Sequence, residues 1–324
     1  MRFIGIFNGD GGTFRTLDMD DFVARAAAVF GEAGHELDSR VVSGKSLLDE
    51  LERAAADPGA DVVLAGGGDG TLSAAAAVCF RLGKPLAVLP AGTMNLFART
   101  LRVPLDLEEA LHAVAGGRYF DIDIATANGR AFVEQFSVGL HARLVRIREE
   151  QNYASRWQKI WAGLRSIAGA VSKPLRFQVD IVTPRGSERR LASGMVVSNN
   201  LIAEGHLPHA DNVDGGVLGV YLVKPMSRMA TLRLIIRVLL GHWKGHPRVS
   251  EAQVTEVKLT FPRRKRSARA VIDGELVPLE ALVDLRIHPR ALTVFAPHAL
   301  ADAMQADAAQ QDPAPQARNG ALTA

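Results

Sequence analysis

Six consecutive residues, Gly66-Gly67-Gly68-Asp69-Gly70-Thr71, have the types and spacing for anion chemistry: glycines that allow close backbone approach, a carboxylate and a hydroxyl. The apolar run Asp61-Val62-Val63-Leu64-Ala65 precedes them, and Leu72-Ser73-Ala74-Ala75-Ala76-Ala77-Val78 follows as the first turns of a helix. A strand, glycine turn and helix start together offer exposed backbone N–H groups to negative charge. The expected ligand is a polyphosphate, with Asp69 an acceptor for a metal ion or a hydroxyl proton. Read alone, the hexapeptide is also compatible with an ordinary turn.

Two other phosphate-loop signatures fail. Ser43-Gly44-Lys45-Ser46 carries the end of a P-loop, but Ser39 stands where the leading glycine belongs. The dinucleotide pattern fails because Gly9-x-Gly11 meets Phe14, and Gly66-x-Gly68 meets Thr71, at the third glycine position. One strand later, Leu86-Ala87-Val88-Leu89-Pro90 runs into Ala91-Gly92-Thr93-Met94-Asn95-Leu96-Phe97-Ala98. Thr93 and Asn95 can cap the following helix while hydrogen-bonding phosphate or sugar oxygens.

The elements that must position these turns alternate: Phe3–Phe7, a helix over 20–33, Leu37–Val42, a helix over 46–56, Val62–Ala65, a helix over 72–82 and Leu86–Leu89. That order predicts a parallel sheet with helices on both faces and a site at the carboxyl ends of its strands. After Asp123 the chain becomes strand-rich, with apolar runs at Ala131–Ser137, Arg176–Val182, Gly194–Ser198, Leu218–Leu222, Ala252–Phe261, Ala268–Ile272 and Ala281–His288. Helical spacing interrupts these runs at Tyr153–Val171 and Ser227–Trp243, where core packing is favoured over lipid contact. The expected division is an α/β nucleotide-binding domain over 1–123, a β-rich domain over 124–297, and a disordered tail over 298–324.

With 324 residues and a hydrophobic fraction of 48%, the chain can build two cores. Its one cysteine, Cys79, reads as a small core residue and fits a reducing cytoplasm. Met1–Phe7 is too short for a signal-peptide core, and Arg233 and Arg237 interrupt the longest helical apolar stretch, so membrane contact is expected to be peripheral. Net charge is only +3, but cations gather at Arg143, Arg146 and Arg148 and at Arg263-Arg264-Lys265-Arg266 and Arg269. Solvated faces are the plain reading. Anionic lipid headgroups rank next, ahead of nucleic acid, because no aromatic stacking platform accompanies the charges.

The two turns in this order resemble the catalytic domain of the diacylglycerol kinase and sphingosine kinase family in its bacterial lipid-kinase branch. Gly67–Thr71 matches its Gly-Gly-Asp-Gly-Thr, and Pro90–Ala98 its Pro-x-Gly-Thr-x-Asn-x-Phe-Ala. Its later Asp before Asn-Gly looks like Asp123, its Asp-Gly loop like Asp211–Gly216, and its Asp-Gly-Glu like Asp273-Gly274-Glu275. The chain departs from the family pattern at Ser73-Ala74, where Asn-Glu is common, at Leu96, where Asp is common, and in the loop after Asn8.

The resemblance implies an α/β ATP-binding domain, similar to those of NAD kinases and diacylglycerol kinases, followed by a β-sandwich, with catalysis in the cleft between them. Asn8, Ser43, Gly67, Gly68, Asp69, Gly70, Thr71, Thr93 and Asn95 would hold ATP. Glu275 would accept the proton of a lipid hydroxyl, with Asp273 and Asp69 close by, and Asp211, Asp214 and the Gly216 carbonyl would hold Mg2+. The implied partner is a lipid substrate at a membrane surface, reached from the cytoplasmic side and without nucleic acid, and a homodimer is left open. Diacylglycerol, sphingoid or ceramide and phosphatidylglycerol-like acceptors all remain open. So do an NAD kinase-like enzyme and a non-catalytic lipid or metal module, the latter suggested by Glu204, His206, His209 and Asp211, whose ligand types suit zinc. Read alone, Asp273-Gly274-Glu275 is a strand-connecting turn.

Overall fold

A computed structural model describes residues 1–149, 176–202, 210 and 212–311. The first elements are β1 (Arg2–Asn8), α1 (Met19–Glu32), β2 (Glu36–Val42), α2 (Leu47–Ala56), β3 (Val62–Gly67), α3 (Asp69–Leu82), β4 (Leu86–Pro90), α4 (Leu96–Thr100), α5 (Leu107–Ala115) and β5 (Arg118–Ala127). Strands β2-β1-β3-β4 are parallel neighbours, as the alternation predicts. Their central strands are buried throughout, so they read as continuous apolar runs rather than alternating ones. Phe3 packs edge-on to Phe30, and Phe7 to Phe22, gathering β1 and α1 into one core. Cys79 lies in that core, and burial pushes its thiol up to about 12, which suits a packing residue and not a nucleophile.

The remaining elements are β6 (Arg130–Phe132), β7 (Gln135–Gly139), α6 (Leu140–Glu149), β8 (Phe177–Thr183), β9 (Gly186–Ala192), β10 (Gly194–Asn199), β11 (Leu218–Val223), α7 (Arg228–Leu239), β12 (Val249–Val254), β13 (Glu256–Thr260), β14 (Arg269–Ile272), β15 (Glu275–Pro278), β16 (Leu282–Ala296) and α8 (Ala299–Gln311). An antiparallel sheet ordered β12-β11-β10-β7-β14-β15 encloses a second core with β8, β13 and the first part of β16. Two expected strands are each broken in two. Ala131–Ser137 divides at Val133-Glu134, where the chain leaves β6 for the other sheet, and Ala252–Phe261 divides after Val254. The tail expected to be disordered from 298 onward begins as α8, because Leu300 and Ala301 are buried against the first core.

The units are joined by two long strands rather than by a linker. β5 contributes Ile122 and Ile124 to the first core and Ala125 and Ala127 to the second, while β16 contributes Val283, Leu285 and Ile287 to the second and Leu292, Val294 and Phe295 to the first. Residue 123, the expected boundary, therefore lies inside a strand. The β5–β16 pairing breaks register between His288 and Leu292, opposite Asp123, and the buried Asp123 carboxylate accepts the Arg290 N–H at 2.9 Å. Tyr153–Val171 and the Glu204–His209 motif lie outside the described residues.

Candidate functional site

The loops after β1, β2, β3 and β4 are tied to one another at the carboxyl edge of the parallel sheet. The Asn8 amide donates to Thr71 Oγ1 at 3.0 Å, and its carbonyl accepts the Asp10 N–H at 3.2 Å. Asp10 in turn accepts the Gly44 N–H at 2.8 Å, which draws in the Ser43–Ser46 loop. Thr13 N–H donates to the Ala91 carbonyl at 2.8 Å. Gly12 has φ +53°, and a Cβ there would fall 1.6 Å from the Ala91 oxygen, so only glycine fits this crossing.

In the turn, a Cβ on Gly66 would strike Phe7 at 2.6 Å, and one on Gly92 would lie 2.7 Å from the Gly68 Cα. The turns after β3 and β4 thus pack backbone to backbone. Gly70 by contrast faces open space, and α3 starts at Gly68 without a side-chain cap, leaving a helix N-terminus to meet an anion. Thr93 and Ser43 are exposed at the same rim, whereas Thr71 is buried beneath Asn8.

Asp69 and Asn95 join the two motifs. Asp69 is half-buried and accepts Asn95 N–H at 3.1 Å and Leu96 N–H at 2.6 Å, so it caps α4. Asn95 takes the left-handed conformation, φ 51°, and its amide folds back to accept Gly92 N–H at 2.8 Å and donate to Gly92 O at 3.0 Å. Its side chain shapes the turn from beneath rather than reaching out to a ligand.

The Asp-Gly-Glu sequence is the tight turn of the β14–β15 hairpin, with Asp273 at φ 45° and Gly274 at φ 82°. Its two carboxylates differ sharply. Asp273 is buried and accepts Val133 N–H at 2.9 Å, Glu134 N–H at 2.9 Å and Gln135 N–H at 3.0 Å, and also the Ser73 hydroxyl of α3. Burial pushes its carboxyl above the ordinary aspartate range, against these hydrogen bonds, which favour the ionised form. Glu275 has a side chain 67% exposed and pairs with Arg130.

Glu134, absent from the expected set, lies close to both parts of the site. Burial, then the negative charges of Asp273 and Asp69, push its carboxyl well above the ordinary glutamate range, and a hydrogen bond from the Phe97 backbone opposes them. Its sequence signal is a single acidic residue inside the apolar run Ala131–Ser137. Ser73, a departure from the family pattern, is the residue that ties α3 to the hairpin.

Of the expected metal ligands, Asp211 lies outside the described residues. Asp214 pairs with Arg290 at 3.5 Å, and Gly216, at φ +66°, donates its N–H to Asp123 at 2.6 Å. Beside them the buried side-chain oxygens of Asn200 and Asn212 have no hydrogen-bond partner among the described residues. A Cβ on Gly215 would stand 2.8 Å from the former and 3.0 Å from the latter. Unpartnered oxygens beside a carboxylate suit a hard divalent cation. Among the described residues no group of three or more His, Cys, Asp or Glu could hold a metal ion.

Comparison with known proteins matches residues 2–127 to the diacylglycerol kinase catalytic domain, and residues 134–296 to the YegS C-terminal NAD kinase beta sandwich-like domain. An uncharacterised protein of Synechocystis sp. is 24% identical over 252 residues, 74% of this chain and 55% of that protein. A probable lipid kinase YegS-like of Cronobacter sakazakii is 37% identical over 112 residues, 33% of this chain and 38% of that protein. The chain thus spans about half or less of the length of these relatives. A crystal structure of a diacylglycerol kinase from Bacillus anthracis str. Sterne superposes with a TM-score of 0.67 at 17% identity, covering 92% of this chain and 98% of that one, which establishes the shared fold. With both of its parts matched in order, the chain belongs to the family that joins a diacylglycerol kinase catalytic domain to a YegS-type C-terminal domain.

Proposed function

We propose that this protein is an ATP- and Mg2+-dependent lipid kinase, transferring the γ-phosphate to a lipid hydroxyl at a membrane surface on the cytoplasmic side. The observation that carries the reading is the convergence of four strand-end loops on an open glycine turn, with a carboxylate hairpin of the second domain bound to the same helix through Ser73 and Asp273. Phosphoryl transfer asks for positioned phosphates, neutralised charge and a proton acceptor. Gly67, Gly68, Gly70 and Thr93 are assigned to the phosphates. Asn8, Thr71 and Asn95 hold the loops that present them, and Ser43 stands exposed at the same rim as Thr93.

Glu275 is assigned as the proton acceptor. It takes the hydroxyl proton as the lipid oxygen bonds to the γ-phosphorus, while the bond from that phosphorus to the β-bridging oxygen breaks and ADP leaves. Asp273, already accepting four hydrogen bonds, holds the hairpin, and Asp69 fixes the second motif against the glycine turn. Mg2+ bound with the nucleotide would supply positive charge to the phosphates. Asp214 and the Gly216 carbonyl, with Asp211, are the residues assigned to a second, structural Mg2+, with the amide oxygens of Asn200 and Asn212 beside them.

Membrane contact is supported by α7, which buries Thr231, Leu234 and Ile235 while exposing Met229, Ile236 and Val238. No helix among the described residues is long and apolar enough to cross a membrane. Labelled ATP with total lipid extract, followed by identification of the labelled product, tests the proposal. A labelled lipid is expected. Label on added NAD instead would favour the NAD kinase-like reading, and stoichiometric zinc with no transfer would favour the non-catalytic module.

A further inference from the structure

The two basic runs, far apart in sequence, meet at one cavity of about 640 Å³ at an end of the β-sandwich. Arg143 and Arg146 reach it from α6, Arg176 from just before β8, Arg263, Arg264 and Lys265 from the β13–β14 connection, and Arg269 from the start of β14. Val138, Phe177, Phe261 and Leu279 give it an apolar lining, with the two aromatic rings 6.0 Å apart. No Asp or Glu lines it among the described residues. The cations are crowded enough that burial and the neighbouring Arg146 charge lower the Arg143 guanidinium from its ordinary value.

This cavity is not the phosphate-transfer site. Strands β7 and β14 run from one to the other: Gly139 and Arg269 line the cavity, while Gln135 and Asp273 lie at the opposite strand ends, beside the hairpin. Four residues of strand separate Arg269 from Asp273, about 13 Å.

We propose that this cavity binds one anionic membrane phospholipid, the cations taking its phosphate and the apolar lining the start of its acyl chains. A free phosphate would use the cations alone and leave the half-buried Phe177 ring, the one apolar side chain of the four not buried in the core, facing the cavity unused. A nucleic acid would need a row of aromatic faces for its bases, and of the two aromatic residues in the lining Phe261 is buried in the core, which leaves Phe177 alone. The volume lies within the ordinary range for small-ligand pockets, roughly 300–1,000 Å³. The bound lipid is not phosphorylated there, so the site does not depend on the kinase reading and failure of one leaves the other standing.

Titration calorimetry with monomeric dihexanoyl phosphatidylserine, which has no free hydroxyl to phosphorylate, tests the proposal. Saturable binding is expected, with none to dihexanoyl phosphatidylcholine and at least about 10-fold weaker binding of inorganic phosphate. Replacing Arg264 and Lys265 together by Ala should weaken binding by at least about 10-fold. Arg266→Ala should stay within about 2-fold of wild type, because Arg266 belongs to the same run but does not line the cavity. Thermal melts of both variants at the wild-type temperature exclude misfolding as the cause, since all three side chains are on exposed residues. Equal losses in the two variants would reduce the pocket to diffuse surface charge. Equal affinity for phosphate and lipid would make it a free-anion site, and absence of phosphatidylserine binding would overturn it outright.

Discussion

The glycine-turn mouth and the Asp-Gly-Glu hairpin meet through Ser73 and Asp273, yet they are built on opposite rules. At the mouth, positions 12, 66 and 92 have no room for a side chain, so loops touch through backbone and leave Gly70 and the start of α3 open. At the hairpin, a buried carboxylate gathers three backbone N–H groups and a hydroxyl, and an exposed one stands two residues away. Saturation marks an acidic residue as structural, and access marks it as available for chemistry.

The strongest test of that contrast is to neutralise each hairpin carboxylate in turn. Glu275→Gln should lower kcat about 10²–10⁴-fold with the KM for ATP unchanged. Its pair with Arg130 is exposed, so stability should change by about 1 kcal/mol or less. Asp273→Asn should instead destabilise the fold, because an amide N–H₂ would face backbone N–H donors. Steady-state kinetics and thermal melts on the same preparations separate the two. A crippled but stable Asp273→Asn beside a fully active Glu275→Gln would exchange their roles.

At the mouth, Asp69→Ala should cost more than about 100-fold in turnover if the carboxylate also serves the transferred charge. It also removes the cap of α4, which should destabilise the protein by about 1–2 kcal/mol. Turnover near wild type at a temperature well below the variant's melting point would leave Asp69 with the cap alone.

Glu134 sharpens the comparison by joining both regions. Its folded-state carboxyl lies well above the ordinary range, and that of Asp273 is raised too, so between the ordinary glutamate value near 4.5 and the folded value the native protein holds a proton that the unfolded chain has released. Stability therefore falls as pH rises from about 4.5 through that window, then levels off above the folded value. Glu134→Gln should flatten this slope, matching wild type below pH 4.5 and exceeding it at neutral pH, with each unit of the wild-type shift worth about 1.4 kcal/mol. Denaturant melts from pH 4 to 8 read this directly, and parallel curves for the two proteins would place the charge burden elsewhere.

Local pattern decides which parts of the molecule are legible in sequence. β1 to β4 and α1 to α3 follow from apolar runs alternating with helical stretches, and the two phosphate-side turns are contiguous motifs. Residues that act across long separations leave fainter marks. Ser73 and Asp273 are 200 positions apart, and Asp123 reaches Arg290 across 167. Glu134 looks like a strand residue until the β6–β7 break sets it between Asp69 and Asp273. The cation pocket is likewise invisible as a pocket, because each run alone resembles a solvated face. β16 exceeds its predicted length because its register break lets one strand serve two cores.

The smallest expected effect comes from the link itself. Ser73→Ala removes one of the donors to Asp273 and leaves the three backbone N–H groups of Val133, Glu134 and Gln135 in place. The carboxylate stays satisfied, so the loss should be near that of one net hydrogen bond, about 1 kcal/mol, or roughly 2–4 °C in Tm for a domain of this size. Amide exchange at Val133, Glu134 and Gln135 should remain slow, because their acceptor has not moved. If these amides instead exchange freely in Ser73→Ala, the hairpin depends on α3 for its position. Mouth and hairpin would then be one cooperative unit rather than two regions joined by a single hydroxyl.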